Sequence, residues 1–439
     1  MGSYLPNTED QQREMLEECG YRDYGELFSC VPDSVKLGRR LEIPEGGPEL
    51  TVRRQMEKMA EKNVVFPHIF RGAGAYHHYI PAIVKEVVSK EEFVTAYTPY
   101  QAEISQGNLQ SIFEFQTMIC ELTGLDAANA SVYDGATAAA ESVFMCRERK
   151  KVRVLAAGTA NPETLAVMRT YCHGRGAEVE MVPSKAGAVD LDGLRAMLDK
   201  TVACFYVQQP NYYGVIEDVE AMAELVHGAG GKMIVGCNPI SLAVLKTPAE
   251  CGADIATGEG QPLGLPMAFG GPYLGFMAAS HEMMRKLPGR IVGETVDSEG
   301  KRGFVLTLQA REQHIRREKA SSNICSNQAL CALTASVYLS AMGPEGLKKV
   351  AIQSTSKAHY LQKVLKEAGL EPAYDRPFFH EFVTECPMDA ETFAKALEEK
   401  GYLGGLPLGE SRLLWCATEM NTKEEMDRLA ALVKEVLGR

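Results

Sequence analysis

Residues 97–103, which read YTPYQAE, concentrate groups that could act on a substrate. Two phenols, a hydroxyl, an amide and a carboxylate are supplied by Tyr97, Thr98, Tyr100, Gln101 and Glu103. Phenol and hydroxyl groups donate and accept hydrogen bonds, and a carboxylate can hold such a group or a water in place. Because the run precedes a predicted amphipathic helix, these side chains are candidates for a functional site. Aromatic packing beneath a loop is the alternative.

The segment FRGAGAYHHYIP, at residues 70–81, combines a cationic side chain with two imidazoles. Arg71, His77 and His78 could contact an anionic substrate or a second protein, because guanidinium and imidazole groups both bind oxyanions. Its content of glycine and aromatic residues predicts an irregular loop. A solvated loop without a function is the alternative.

Two further segments have a backbone suited to an anion. SVYDGATAAAES, at 131–142, runs from a glycine turn into an alanine-rich helix, whose first amides can hold a phosphate. Ordinary capping by Asp134 or Thr137 is the alternative. Farther along, Gly270 and Gly271 follow a buried strand, and their bare backbone could approach a phosphate closely. A tight turn that needs positive φ is the alternative there.

Motifs for several other chemistries are missing from the sequence. There is no GxSxG nucleophile elbow, no HExxH metal motif and no CxxC pair. Several of the 12 cysteines lie in apolar runs, such as Cys204 in VACFYV. We therefore expect no hydrolase triad, no metal site, and buried reduced thiols. Asn323 and Asn327 in SSNICSNQ are expected to cap a helix.

Strands and helices that could position these residues alternate between about 150 and 280. Short apolar runs predict strands at 151–158, 178–184, 202–210, 232–238, 254–260 and 271–280, and amphipathic segments predict helices at 161–176, 191–200 and 217–231. Such alternation is typical of a buried parallel sheet with helices on both faces. A hairpin with its turn at 298–300 is predicted over 290–308. The fold class is therefore α/β, with a mostly parallel sheet.

Three domains are predicted along the chain. They are an N-terminal helical and irregular arm at 1–90, a large α/β domain at 91–310, and a linking helix with a small C-terminal α/β domain at 311–439. In the last of these, strands are predicted within FFHEFVTE and SRLLWCATEM. Thr422 and Glu425 form a capping box that starts the final helix.

Helices outside the alternating region are predicted from periodicity. One follows Pro48, and another covers 105–122 and ends at Gly124, a favoured residue just after a helix. A long helical stretch is predicted from about 312 to 368. The many apolar residues of the 105–122 helix predict that it lies in or beside a subunit interface of roughly 2,000 Å² or more.

Composition excludes several classes of function. Lys and Arg total 46 and Asp and Glu total 58, which gives a formal net charge of −12. Because no block of basic residues is present, we expect no nucleic-acid partner. No apolar stretch reaches membrane-spanning length, and the first residues contain no apolar signal core. We therefore expect a cytoplasmic protein without a membrane partner.

Four segments together resemble the P-protein family of the glycine cleavage system, within the fold-type I pyridoxal-phosphate enzymes. They are YLPNTEDQQREML at 4–16, FRGAGAYHHYIP at 70–81, VTAYTPYQAEISQGNLQSIFEFQTMICELTGL at 94–125 and SSNICSNQALCALTASVYL at 321–339. P-proteins occur as one long chain with two homologous halves or as two half-length subunits, and this chain resembles the first half. The resemblance implies the fold-type I transferase fold, with a large domain and a small C-terminal α/β domain.

The resemblance also shows where this chain departs from the family's active half. In that half a lysine forms a Schiff base with the cofactor aldehyde, and an aspartate faces the pyridine nitrogen. Here the aspartate position matches Asn238 and the lysine position matches Gln261. No lysine occurs between Lys246 and Lys286. Because Gln261 cannot form an imine and Asn238 carries no charge, we expect no cofactor to be covalently bound to this chain.

The resemblance implies that a partner subunit carries the lysine and binds pyridoxal phosphate. Sites of this fold lie at dimer interfaces, so Tyr97, Thr98, Tyr100, Gln101 and Glu103 are expected to act on the partner's site. Gly270 and Gly271 would contact the partner's cofactor phosphate. Arg71, His77 and His78 would meet the carboxylate of glycine or the incoming carrier.

The implied activity is decarboxylation of glycine on pyridoxal phosphate, an oxidoreductase reaction at CH–NH2 with a disulfide acceptor. The aminomethyl group would pass to the lipoyl arm of the H-protein, and the two kinds of subunit would form an α2β2 heterotetramer. A non-catalytic scaffold or regulatory homologue is one alternative. A self-sufficient pyridoxal-phosphate lyase that uses another lysine is the second.

Overall fold

The computed structural model describes residues 6–309 and 312–439, and the chain divides after Val65 into two compact units. The first unit contains the helices α1 (Glu9–Glu18), α2 (Tyr24–Leu27) and α3 (Glu49–Ala60). A capping box between Thr8 and Gln11 starts α1, and Pro48 precedes α3 as predicted.

Residues 6–65 bury no side chain within this chain. Many of their apolar side chains are exposed, including Leu37, Leu41, Ile43, Leu50, Val52, Met56, Met59, Val64 and Val65. Exposed apolar side chains in such number are typical of a segment that another molecule covers.

The second unit combines strands and helices from Phe66 onward. Its strands are β1 (His68–Ile69), β2 (Ala127–Ala128), β3 (Arg153–Ala157), β4 (Val179–Val182), β5 (Ser184–Lys185), β6 (Ala188–Val189), β7 (Val202–Gln209), β8 (Lys232–Cys237), β9 (Ile255–Glu259), β10 (Gly275–Ala279), β11 (Ile291–Val296), β12 (Arg302–Thr307), β13 (Glu381–Glu385), β14 (Tyr402–Leu403), β15 (Leu406–Pro407) and β16 (Arg412–Cys416). Its helices are α4 (Ala82–Val88), α5 (Glu91–Val94), α6 (Gln106–Thr123), α7 (Gly135–Cys146), α8 (Pro162–Gly174), α9 (Leu191–Met197), α10 (Val219–Gly228), α11 (Gln313–Arg316), α12 (Ala329–Glu367), α13 (Ala390–Glu398) and α14 (Lys423–Val436).

Seven strands form the central sheet, in the order β2-β10-β9-β8-β7-β3-β4. The strands from β9 to β4 in this order are parallel, whereas β10 is antiparallel to both β9 and β2. The predicted mostly parallel sheet is therefore confirmed. Alternate residues of β3 face opposite sides, because Val154 packs with α7 and α8 while Leu155 packs in the cluster that contains residues of α9 and α10.

The 105–122 helix corresponds to α6, and Gly124 ends it in the left-handed conformation as predicted. Its buried side chains, including Phe115 and Ile119, pack against the sheet and α12, and Leu109 packs against the predicted hairpin, which is β11–β12. The apolar face of α6 is thus covered within the chain. The interface expected beside this helix stays a prediction.

The predicted helical stretch from about 312 to 368 is wrong in its first part. A short helix, α11, is followed by a single 3-10 turn, and regular helix resumes only at Ala329. Ser322 explains part of this interruption, because its hydroxyl accepts the backbone N–H of Ile324 and so competes with helical bonding. Within α12, Gly343 and Pro344 mark a kink, with Gly343 at a φ of +60°.

The small domain forms around β13, β16 and β15, which are antiparallel. The C-terminal half of α12 packs with α13, α14 and this sheet around Trp415, whose indole N–H donates to Thr384. The predicted capping box of Thr422 and Glu425 starts α14. The short strand β1 pairs with β14, so residues 70–81 cross from the small domain to the central sheet.

All 12 cysteines are free thiols, and eight of them, such as Cys204, are buried as expected, whereas Cys19, Cys30 and Cys325 are exposed. Within the described ranges, no helix is long and apolar enough to cross a membrane. The same residues contain no group of three His, Cys, Asp or Glu side chains that could hold a metal ion.

Candidate functional site

A cavity of about 490 Å³ lies at the carboxyl ends of β7, β8 and β9, where functional sites of parallel sheets occur. Residues 72–76 line one part of it, and the first residues of α7 line another. Asn238, which follows β8, is part of the lining. Its side-chain oxygen accepts the N–H of Ile240 at 2.9 Å, and its buried Nδ2 has no hydrogen-bond partner among the described residues.

Gln261 is buried beside this cavity, with 1% of its surface exposed. Its Nε2 donates to the carbonyl oxygens of Leu265 at 2.8 Å and Tyr76 at 3.0 Å, and its Oε1 accepts the N–H of Tyr76 at 2.9 Å. The amide therefore holds the 70–81 loop, a role that a lysine could not reproduce because it has no acceptor.

No lysine lines the cavity in the part of the chain that the structure describes. The two nearest along the sequence are used elsewhere, since Lys246 pairs with Glu220 and Lys286 with Glu148, both on the surface. The charged side chains that do line the cavity are the carboxyls of Asp134, Glu163 and Glu259. The cavity is thus acidic and offers no amine.

The first turn of α7 is closed by carboxylates of the chain itself. Asp134 caps the helix by accepting the N–H of Thr137 at 2.7 Å, as one of the two interpretations of this segment predicts. Glu259 accepts the N–H of Gly135 at 3.0 Å, and its other oxygen accepts N–H groups of Gln261 and Leu274 at 3.0 and 2.9 Å. Burial raises the pKa of Glu259 to about 7, although these three bonds act to lower it.

Gly135 leaves no room for a larger residue between α7 and β9. A Cβ at this position would lie 2.8 Å from the backbone nitrogen of Glu259. This close approach lets the N–H of Gly135, at the start of α7, reach the carboxylate of Glu259. Consequently the helix amide that could have met a phosphate is already bonded to Glu259.

The 70–81 loop is fixed by buried carboxylates of the small domain. Glu381 accepts the hydroxyl of Tyr76 at 2.8 Å and the N–H of Ala73 at 2.6 Å. Burial raises the pKa of Glu381 to about 7. Glu419 accepts the N–H of Tyr79 at 2.7 Å, and its Oε2 lies 2.7 Å from Nδ1 of His78. These bonds lower the pKa of Glu419 against the effect of its burial.

The three loop residues selected from the sequence differ in accessibility. Arg71 donates to the carbonyl oxygens of Gly404 and Gly405 at 3.1 and 3.2 Å and pairs with Glu398. His78 is 7% exposed, whereas the His77 side chain is exposed. A contact of Arg71, His77 or His78 with a substrate or carrier remains a prediction, and His77 is the one whose side chain is accessible.

A second cavity, of about 320 Å³, lies beside the 97–103 segment. Tyr97 and Thr98 line it, and Tyr97 is 92% exposed. Tyr100 lies against Arg290, with its hydroxyl 3.5 Å from the guanidinium. Gln101 and Glu103 are exposed and are not part of this lining. Tyr97 and Thr98 thus line this cavity, and Tyr100 is linked to it through Arg290.

Gly270 and Gly271 lie in an exposed turn after the first cavity. Both have positive φ, +107° and +142°, and a Cβ at Gly270 would meet nothing within 4 Å. The neighbouring Tyr273 reaches the cavity and donates to the carbonyl of Met267 at 2.8 Å. The glycines are therefore free to approach another molecule, and their contact with a cofactor phosphate remains a prediction.

Sequence reasoning missed Glu259, Glu381 and Arg290, three charged side chains at these sites, of which Glu381 and Arg290 are buried and Glu259 is half-buried. A charged residue at the start or end of an apolar strand was the available signal, as in RIVG for Arg290 and IATGE for Glu259. Asn327 does not cap α12 as expected, because it donates to Ser131 and to the carbonyl of Ala130.

Comparisons with known proteins agree with this architecture. A family model described as glycine cleavage system P-protein matches residues 2–433. A relative from Moorella thermoacetica, "probable glycine dehydrogenase (decarboxylating) subunit 1", is 50% identical over 99% of this chain and 100% of its own length. A crystal structure of glycine decarboxylase (P-protein) of the glycine cleavage system, in inhibitor-bound form, matches with a TM-score of 0.93 and 45% identity over 99% of this chain and 100% of that chain.

A more distant structure shows how widely the fold is shared. An aspartate aminotransferase from Thermus thermophilus matches with a TM-score of 0.59 at 16% identity, over 84% of this chain and 99% of that chain. The predicted fold-type I architecture, with a large sheet domain and a small C-terminal domain, is confirmed. By the family match and the full-length relatives, the chain belongs to the glycine cleavage system P-protein family.

Proposed function

We propose that this chain is the subunit of glycine decarboxylase that lacks a cofactor of its own and completes the active site of a lysine-bearing partner. The position of Gln261 is the observation that carries the proposal. Its buried amide makes three hydrogen bonds that fix the 70–81 loop, so it serves the fold where the active half would need an amine.

The chain's own cavity does not fit pyridoxal phosphate. Its lining contains three carboxyls and no lysine among the described residues, and Asn238 supplies no charge for a protonated pyridine nitrogen. Glu259 takes the amide of Gly135, which a phosphate would need. We therefore derive no catalytic step in this cavity.

An exposed apolar surface supports the need for a partner. The first unit exposes large apolar side chains from Leu37 to Val65, and the 94–104 segment exposes Tyr97 and Ile104. Extensive apolar surface is typical of permanent subunit interfaces. We propose that the lysine-bearing subunit covers it, in an α2β2 heterotetramer.

In the assembled enzyme, pyridoxal phosphate on the partner would supply the electron sink that allows glycine to lose CO2. The contribution of this chain would come from Tyr97, Thr98 and Tyr100, whose hydroxyls can orient a carboxylate or hold a proton. Gln101 and Glu103 would extend the same segment, and Gly270 and Gly271 would approach the cofactor phosphate. The aminomethyl product would pass to the disulfide of the lipoyl H-protein in the cytoplasm, with Arg71, His77 or His78 at the carrier or the glycine carboxylate.

Reconstitution with the lysine-bearing subunit tests this proposal. Exchange of CO2 with the glycine carboxyl group should require both chains. Borohydride reduction followed by peptide mapping should label a lysine of the partner and none of this chain. Activity of the partner alone would favour a scaffold role for this chain, and a labelled lysine in this chain would show a self-sufficient lyase. Either result would contradict the proposal.

A further inference from the structure

Arg290 is a buried cation without an anionic partner. Its side chain is 7% exposed, and no carboxylate among residues 6–309 and 312–439 forms an ion pair with it. Among these residues, its Nη2 contacts a hydroxyl and a thiol, Tyr100 Oη at 3.5 Å and Cys325 Sγ at 3.9 Å. Its Nε is buried and lacks a hydrogen-bond partner in the same part of the chain. A buried, unpaired charge is strongly unfavourable unless a ligand compensates it.

The cavity that Arg290 lines combines many apolar side chains with a smaller set of polar groups that could bind an anion. No acidic side chain belongs to its described lining, whereas Thr98, Asn108, Ser111, Ser326 and Asn327 contribute neutral polar groups. The hydroxyl of Thr98 and the hydroxyl of Ser326 can both donate to an oxyanion. The lining therefore combines one positive charge with several donors.

Two long helices begin at this cavity. Ala329 and Leu330, the first residues of α12, line it, and so does Asn108 in the first turn of α6. In both helices the residue before the first turn provides no side-chain cap. Helix N-termini carry partial positive charge and free N–H groups, so both favour an anion at this position.

We propose that this cavity binds a small oxyanion, a carboxylate or a phosphate, through the guanidinium of Arg290. A guanidinium can place two parallel N–H donors on either group, whereas an ammonium acts as a point charge. The stacked ring of Tyr100, with its centroid 5.6 Å from the guanidinium carbon, orients the cation. Tyr97, Thr98 and Tyr100 also belong to the proposed function, and this inference extends their role to an anion. The site itself is formed by residues of this chain, so binding by the isolated chain can fail or succeed independently of decarboxylation by the assembly.

Equilibrium binding to the full-length chain, without a partner, provides the test. Inorganic phosphate and acetate serve as probes, at constant ionic strength maintained with chloride. Wild-type protein should bind one of them at a single site. A charge-assisted hydrogen bond contributes enough that Arg290→Gln should weaken binding ten- to a hundredfold. Arg290→Lys, which keeps the charge but not the paired donors, should bind with intermediate affinity.

Arg169→Gln is the matched control, because Arg169 is an exposed arginine on α8 outside this cavity and the change in net charge is the same. It should bind like wild type. Preference for phosphate would identify a phosphorylated ligand, and preference for acetate a carboxylate ligand. Absence of binding to wild type, or equal loss in Arg169→Gln, would overturn the proposal. If Arg290→Gln does not fold, the affinity of Arg290→Lys is the test. An affinity equal to that of wild type would also overturn the proposal.

Discussion

Replacing Glu259 with glutamine should change how the stability of this protein depends on pH. Burial raises the pKa of Glu259 from 4.5 to about 7 in the folded chain. A shift of that size corresponds to about 3 kcal/mol of coupling between protonation and folding. The folded state binds the proton of Glu259 more tightly than the unfolded state does. The stabilisation of the folded state by this proton is therefore fully present below pH 4.5 and is lost as the pH rises through 7.

Glutamine keeps the shape of the protonated acid and does not titrate. The variant should therefore gain stability relative to wild type as the pH increases, by about 3 kcal/mol between pH 4.5 and pH 8. The unfolding entropy is roughly 2 cal/mol/K per residue. For the compact unit from Phe66 to Arg439, the melting temperature of the variant should therefore rise by about 4 °C relative to that of wild type over this pH range. Glu381 titrates in the same pH range, but both proteins contain it, so its effect on stability cancels in the difference between them.

Thermal unfolding of wild type and Glu259→Gln at half-unit steps of pH measures how the difference between their melting temperatures changes with pH. Glu163→Gln is the control, because Glu163 lines the same cavity but is exposed. Its difference from wild type should stay nearly constant with pH. A constant difference for Glu259→Gln as well would show that Glu259 is not held in a site that favours the neutral acid, and the account of this cavity would be refuted.

Three further changes test other parts of the structure. Gln261→Lys combined with Asn238→Asp should restore only weak pyridoxal-phosphate binding, seen as visible absorbance, because the Glu259 carboxylate still occupies the start of α7; strong binding by the unaltered chain would contradict this. Tyr100→Phe should lower glycine decarboxylation by the assembled enzyme by roughly tenfold or more, whereas Tyr360→Phe in the small domain should match wild type; equal rates would indicate that Tyr100 only packs. Gly214→Ala should destabilise the chain by about 3 kcal/mol or more in thermal unfolding, because Gly214 has a φ of +82° and a Cβ there would lie 1.8 Å from the carbonyl oxygen of Glu381; an unchanged melting temperature would be inconsistent with this packing.

Six of the seven strands of the central sheet were predictable because each contains a short apolar run, whereas β2, which has only two residues, was not predicted. Cys204, Ile234 and Ile255 all fall within predicted strands. The reversed direction of β10 was not predicted, since an antiparallel buried strand has the same apolar pattern as a parallel one. The interruption before α12 was also not predicted. The spacing of apolar residues carries no information about the hydroxyl of Ser322, which accepts the nearby backbone N–H of Ile324.

The candidate sites could be predicted only in part. Gln261 and Asn238 were found because the chemistry of the family requires other residue types at their positions. Glu259 and Arg290 were not found, because each acts through contacts with residues distant in sequence, namely Gly135 and Tyr100. Burial of a charge is a tertiary property, and the spacing of residues along the chain does not reveal it.

The bonding of the 70–81 loop has a dynamic consequence. Two loop residues are each bonded to both domains: Tyr76 to Gln261 of the central sheet domain and to Glu381 of the small domain, and Ala73 to Asn161 and Glu381. A hinge rotation between these domains would have to break several buried hydrogen bonds together, each of which is unfavourable to leave unmade. The amide hydrogens of Ala73, Tyr76 and Tyr79 should therefore exchange with solvent only through a large cooperative opening, at rates close to those of the sheet core. The large and small domains of this chain should therefore move as one rigid body.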